Sequence, residues 1–326
     1  MKTIGLRDNI CAKSIKTTCG SKILDGFVSP YNATIVDKLN KANIEIRKVD
    51  IKEFGIEEDN FIEVAFEEKE IEAVIATDLD GEIARNSTNE KVGIKPTFGL
   101  VSRYGVITTS PSLEQVGVIG KDIQTLEEVL NIIKGYDNKD SGSVKDIEIE
   151  QSKNSELNIG YIEENNIINK LKGKKTKIDV KNLKYAIPTH YIISSAETSS
   201  NLARFDGIRY GYRTKNAKTW KEVYTKTRQE GFGYSVKKKM ITGTFFLDVD
   251  NMQNYYMKAQ KIRTLIKREM GKIFEQIDVL LVPNKKEYTC LANLTGRPAI
   301  TTGEATFIGK HFDEETLINL VKGGVK

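Results

Sequence analysis

The amino-acid sequence predicts an α/β fold, and three observations carry that prediction. Segments with a helical period alternate along the chain with short apolar runs of strand character. One amphipathic stripe, over residues 250–277, is stronger than any other. It runs directly into Asp278 to Pro283, an apolar run that reads as a buried strand.

Taken in order, residues 32–43 read as a helix, with Ile35, Val36, Leu39 and Ala42 on one face and Asn32 placed to cap its start. Residues 71–77 read as a strand, followed by a turn-rich stretch from Asp78 to Gly93. Residues 122–134 form a second helix, with Ile123, Leu126, Leu130 and Ile133 on one side and Gly135 where a left-handed cap is needed. Residues 136–180 are rich in Lys, Asn, Glu and Ser, with short apolar runs such as Ile159 to Ile162, and read as surface loops. Within 250–277, Tyr255, Ala259, Ile262, Ile266, Met270, Ile273 and Ile277 recur at steps of three and four. Asp313 caps a last helix, with Phe312 placed to staple onto Leu317. There is no internal repeat and no sharp shift in composition, so one domain over 1–326 is expected.

Composition narrows the classes of function. The chain has 326 residues, and no run of about 18 apolar residues that would span a bilayer. The N-terminus lacks the apolar core of a secretory signal, and a cytoplasmic location is expected. Cys11, Cys19 and Cys290 are too few and too scattered for a disulfide framework. With only His190 and His311 beside them they form no zinc pattern, so no metal or cofactor is expected. A Cys–His nucleophilic pair has no local pattern to support it. The net charge of +5 is a mild excess. Lys-rich stretches at 172–177 and 236–239 suit either a solvated surface or contact with RNA phosphates.

Four ordered blocks carry a resemblance. They are Ile4 to Leu24; Val92 to Gly105, continuing through Ser112 to Gly117; Ala196 to Arg213, with Thr227 to Gly233; and Tyr255 to Pro283, with Asn293 to Ala299 and Ile308 to Leu317. In these blocks the chain resembles the amidase-signature family, and within it the A subunits of tRNA-dependent amidotransferases. The resemblance implies a mixed central sheet flanked by helices, with several family segments deleted. It also implies the family's work: glutamine hydrolysis, with ammonia passed to a B subunit that amidates Glu-tRNA(Gln) or Asp-tRNA(Asn), and a C subunit bracing the two. Any contact with tRNA would run through the B subunit.

The family's catalytic apparatus is a Ser–cis-Ser–Lys triad, and its positions are altered here. The lysine position falls on Arg7, in Leu6-Arg7-Asp8-Asn9. Arginine holds its proton at any ordinary pH and cannot serve as the base. The nucleophile position falls on Glu82, at the end of Thr77-Asp-Leu-Asp-Gly-Glu82. A carboxylate there would repel a developing oxyanion. Asp80 stands where a family glycine is expected, which threatens the backbone anion cradle. No Gly-Gly-Ser-Ser-Gly-Gly loop exists, and the bridging serine is absent. The chain passes from Gly55 to residue 71 through acidic sequence instead.

Substrate groups are affected too. The arginine that grips the glutamine carboxylate aligns with Lys239, which lacks the bidentate fork. The aspartate for the amino group lies in a stretch missing between Pro283 and Asn293, and a further shortening falls between 150 and 180. Ser87, Ser110 and Ser112 are the remaining serines to weigh as nucleophiles, although serines in turns are commonly turn formers.

A basic and an acidic side chain thus stand in place of Lys and Ser. They are expected to pair, an idea that separation beyond about 6 Å would overturn. The leading reading is a catalytically inactive relative acting as a scaffold or interaction protein. The alternatives are an active glutamine-hydrolysing relative, or a hydrolase rebuilt around Glu82 or Asp78.

Overall fold

The computed structural model describes residues 3–56, 65–66, 70–87, 91–145, 147, 156–164, 166–303 and 305–323. Its first half runs β1 (Thr3–Arg7), α1 (Thr34–Lys41), β2 (Glu45–Val49), β3 (Ala73–Asp78), α2 (Glu82–Arg85), β4 (Val92–Lys95), β5 (Gln115–Gly120) and α3 (Ile123–Ile133). Then come β6 (Asn158–Tyr161), α4 (Asn166–Lys170), β7 (Lys174–Lys177), α5 (Ala186–Leu202), α6 (Trp220–Gly231) and α7 (Tyr234–Leu247). The chain closes with α8 (Tyr256–Phe274), β8 (Val279–Pro283), α9 (Lys286–Thr295), β9 (Ala299–Thr302), β10 (Ala305–Gly309) and α10 (Glu314–Lys322).

Among the described residues the strands form one ten-stranded sheet in the order β2-β1-β3-β5-β4-β9-β10-β8-β6-β7. The two outer thirds are parallel and the centre is antiparallel. The expected mixed sheet flanked by helices is what the structure shows.

Period-two alternation explains the two faces. In β8, Val279 and Leu281 join a core with Ile4, Leu6, Leu39, Leu126, Leu130 and Leu317, under α1, α3 and α10. Leu280 and Val282 point the other way, into a core with Ile193, Ile266, Met270, Phe274 and Leu291, under α5, α8 and α9. Each such fully buried aliphatic side chain contributes roughly 1.5–3 kcal/mol. A strand apolar at every position is what burial on both faces demands.

Several expectations are corrected. Asn32 does not cap α1; Ala33 holds that position. The Asn32 side chain instead accepts from Lys13 N–H and donates to Asp37. The stretch 78–93 contains α2 and the start of β4 rather than turns alone. The polar region 136–180 contributes two strands, because β6 pairs with β8 and carries β7 on its outer edge. Lys174 to Lys177 is therefore an exposed edge strand, of the kind that lysines keep from pairing further.

Other expectations hold. Asp122 accepts from Thr125 N–H at 2.7 Å and caps α3, and Gly135 has φ of +113°. Asp313 accepts from Thr316 N–H at the start of α10. The acidic stretch Glu57, Glu58, Asp59, Glu67 and Glu68, where the resemblance implies a missing serine loop, lies outside the described residues.

Candidate functional site

The site forms where β1 and β3 end side by side. The strands are parallel, with Leu6 opposite Ile75, so Arg7 and Asp78 leave the sheet on the same side. Asp78 is buried and shapes the next turn. Its carboxylate accepts from Gly81 N–H and Ile83 N–H, both at 2.8 Å, and from Asn293 Nδ2 at 2.7 Å. Gly81 sits at φ +92°, and a Cβ there would lie 2.1 Å from Thr289 Oγ1, so only glycine fits. Asp78 is thus a turn former whose oxygens are engaged.

That turn opens α2 and aims Glu82 inward. Arg7 Nη2 donates to Glu82 Oε1 at 3.2 Å, with both side chains almost wholly buried. The pairing expected from the two charges is present. Burial pushes the Glu82 carboxyl well above the usual carboxylate range; Arg7 opposes this, while Asp80 and Asp78 add to it.

Asp80, fully buried, is clamped between Arg85 Nη2 at 2.9 Å and Lys286 Nζ at 2.8 Å. Arg85 also donates to the Asp80 carbonyl. The backbone donors of Gly81 and Ile83 are taken up by Asp78, so this turn does not present them to an oxyanion. The free space beside Arg7, Asn9, Thr77, Glu82 and Glu114 amounts to about 20 Å³. That is room for about one water, against the hundreds of cubic ångströms of a typical ligand pocket.

Lys239, on α7, reaches the rim of this space, where its ammonium donates to the Gly55 carbonyl at 2.9 Å. Glu114 accepts from the N–H groups of Thr109 and Ser110, and burial raises its pKa. His190 Nε2 lies 2.9 Å from the Leu79 carbonyl oxygen, and burial lowers its pKa to about 4. The imidazole is therefore neutral near pH 7.

The three serines weighed as nucleophiles are all held structurally. Ser87 Oγ donates to the Ile83 carbonyl, and Ser110 Oγ to the Ser194 carbonyl. Ser112 Oγ accepts from Arg263. None of them lines the space beside Glu82. The cysteines are free and buried, and burial pushes the Cys290 thiol up to about 12, so it stays protonated and unreactive. Among the described residues no group of three or more His, Cys, Asp or Glu side chains could hold a metal ion.

Sequence reasoning missed the Asp80–Arg85–Lys286 clamp, the Asn293 contact to Asp78 and the buried Lys95. The Lys95 ammonium donates to the Pro96 and Arg297 carbonyls, and burial lowers its pKa to about 8. Arg85, five residues after Asp80 and at the head of the polar run from Arg85 to Glu90, offered a local signal. Lys286 and Asn293 offered none, since only the fold brings α9 to the end of β3.

Comparison with known proteins gives a consistent picture. A family profile described as Amidase matches residues 3–54 and 74–299. The chain is 34% identical to the glutamyl-tRNA(Gln) amidotransferase A subunit of Macrococcus caseolyticus over 393 aligned residues, covering 97% of this chain and 82% of the relative. It is 33% identical to the same A subunit of Geobacillus thermodenitrificans, covering 96% and 80%. An alignment of 393 positions exceeds the length of a 326-residue chain, so the relative carries segments that this chain lacks. Among solved structures, the glutamyl-tRNA(Gln) amidotransferase A subunit of Thermotoga maritima superposes with a TM-score of 0.73 at 24% identity, covering 97% of this chain and 81% of that one. An allophanate hydrolase from Kluyveromyces lactis superposes with a TM-score of 0.77 at 17% identity, covering 98% and 61%. Both show the same fold.

Proposed function

Because the chain belongs to the amidase family, we propose that it is a catalytically silent relative of the amidotransferase A subunit and acts as one domain that binds other proteins. The observation that carries this reading is the buried Arg7–Glu82 pair at 3.2 Å. Arg7 stands at the family position of the catalytic lysine and Glu82 at that of the nucleophile. A guanidinium cannot accept the proton, and a carboxylate tied to it has no hydroxyl to activate. The space beside them, about 20 Å³, has no room for an amino-acid side chain. The family match also breaks between 54 and 74, which supports loss of the bridging-serine loop. Lys239, at the position of the carboxylate-binding arginine, is turned to a backbone carbonyl.

The partners in this reading are the B and C subunits of a tRNA-dependent amidotransferase, with tRNA met only through the B subunit, in the cytoplasm. No helix among the described residues is long and apolar enough to cross a membrane. The relatives are named as subunits, which supports an assembled role.

The test is a glutaminase assay of the chain alone and with B and C subunits, beside co-purification. Co-purification without ammonia release is expected. Ammonia release by the wild-type chain sinks the proposal. Its loss on Glu82→Ala would assign the turnover to a rebuilt site instead.

A further inference from the structure

A second cavity, of about 720 Å³, opens beyond α9, lined among others by Arg263, Lys267, Arg297, His311, Phe98 and Phe312. Its size falls within the roughly 300–1,000 Å³ of small-molecule sites. The sequence makes it basic. Arg263 and Lys267 stand four residues apart on α8, hence on one face of the helix. Arg297 enters from the turn between α9 and β9, and His311 from the turn after β10.

The charges are not balanced. Glu197 acts on Arg263. Among the described residues, no carboxylate forms an ion pair with Lys267 or Arg297. Arg297 is only 7% exposed. It stacks over Phe274, 4.0 Å from the ring centroid, and makes a hydrogen bond of 3.3 Å to the Gly309 carbonyl. A guanidinium has five N–H donors, so most of this one's capacity is unmet by protein. Arg263 donates to the Leu294 carbonyl and to both oxygens of Ser112, which fixes its plane and leaves further N–H groups over. Like charges at this helical spacing repel, and desolvating them without an anion is unfavourable. Stability of the chain alone gives no reason to gather them around an open cavity.

We propose that this cavity binds a small organic anion, a carboxylate or phosphate carried on a flat apolar body. The head group sits on Lys267, Arg297 and the remaining N–H groups of Arg263, and the body lies against Phe98 and Phe312. Burial lowers the pKa of Arg297 to about 10 and that of Lys267 as well, and lowers that of His311 to about 4. Each shift is one that a bound anion would oppose.

Calorimetric titration of the full chain with phenyl phosphate, phenylacetate and benzyl alcohol tests this. Saturable binding of at least one of the two anions, and not of benzyl alcohol, is expected; the tighter anion identifies the head group. Lys267→Ala, at an exposed helix position, should keep the melting temperature and weaken that binding about tenfold, a loss of about 1.4 kcal/mol. Arg297→Gln should weaken the binding likewise, and Lys267→Arg should restore what Lys267→Ala loses. The proposal is overturned if neither anion saturates the protein or if benzyl alcohol binds equally well. An unchanged affinity in a folded Lys267→Ala variant overturns it too.

Discussion

Arg7 Nη2 lies 3.2 Å from Glu82 Oε1, and the two side chains are 6% and 9% exposed. Neither group can regain its hydration if the other is removed. Breaking a buried pair by deleting one partner typically costs about 3–5 kcal/mol, whereas replacing both with apolar groups is often neutral. Arg7→Met should therefore lower unfolding free energy by about 3 kcal/mol, and Arg7→Met with Glu82→Leu should recover most of that loss. Urea titration of the two variants decides it. Losses that simply add would show that the groups are not energetically coupled.

On the proposed reading, placing the two side chains of the family triad at positions 7 and 82 should not produce glutamine hydrolysis. Arg7→Lys with Glu82→Ser returns a base and a hydroxyl, but supplies no bridging serine and leaves the Gly81 and Ile83 donors on Asp78. Glutamine hydrolysis is expected to stay at the buffer rate, read by coupled assay of released ammonia. Ammonia release above that rate would mean that the remaining scaffold suffices for catalysis.

What the sequence revealed and concealed follows from where each side chain makes its contacts. The stripe through Ala259, Ile266 and Met270 was legible because α8 buries one face only. β8 was legible because every position is apolar. α5 was hidden, since it buries Thr189, His190, Ser194, Ser195 and Thr198 beside its apolar residues, which blurs the helical period. β7 was hidden because an edge strand of lysines carries no apolar alternation; its register comes from β6. In the site, opposite charges at Arg7 and Glu82 announced their pairing. The clamp of Lys286 on Asp80 did not, because those residues meet only through tertiary packing.

His190 predicts acid sensitivity. Burial lowers its folded-state pKa from 6.5 to about 4. The unfolded chain therefore binds the proton first as pH falls. The stabilisation is full above pH 6.5 and is lost progressively between 6.5 and about 4, amounting to about 3 kcal/mol. His311 has the same direction and adds to the slope. The raised Glu82 and Glu114 carboxyls act in the opposite direction, so the His190 contribution is read as a difference: in urea unfolding at a series of pH values the wild type should lose stability relative to His190→Gln across this window. An identical slope in that variant would show that His190 is not buried in neutral form.

Two glycines in helices should respond to alanine in opposite ways. Gly243 on α7 faces α5, and a Cβ there would lie 2.0 Å from the Ser195 carbonyl oxygen and 2.6 Å from its carbon. Those are backbone atoms of a packed helix, so relief requires the helices to part. Gly271 on α8 has nothing within 4 Å of the same added atom. In an open helix position alanine is worth about 1 kcal/mol over glycine, while overpacking costs about 1–3 kcal/mol. Gly271→Ala should raise the melting temperature. Gly243→Ala should lower it despite the identical gain in helix propensity, by a net of up to about 2 kcal/mol. Thermal unfolding of both variants reads the contrast. A stabilised Gly243→Ala would mean that α5 and α7 are not in backbone contact at Ser195.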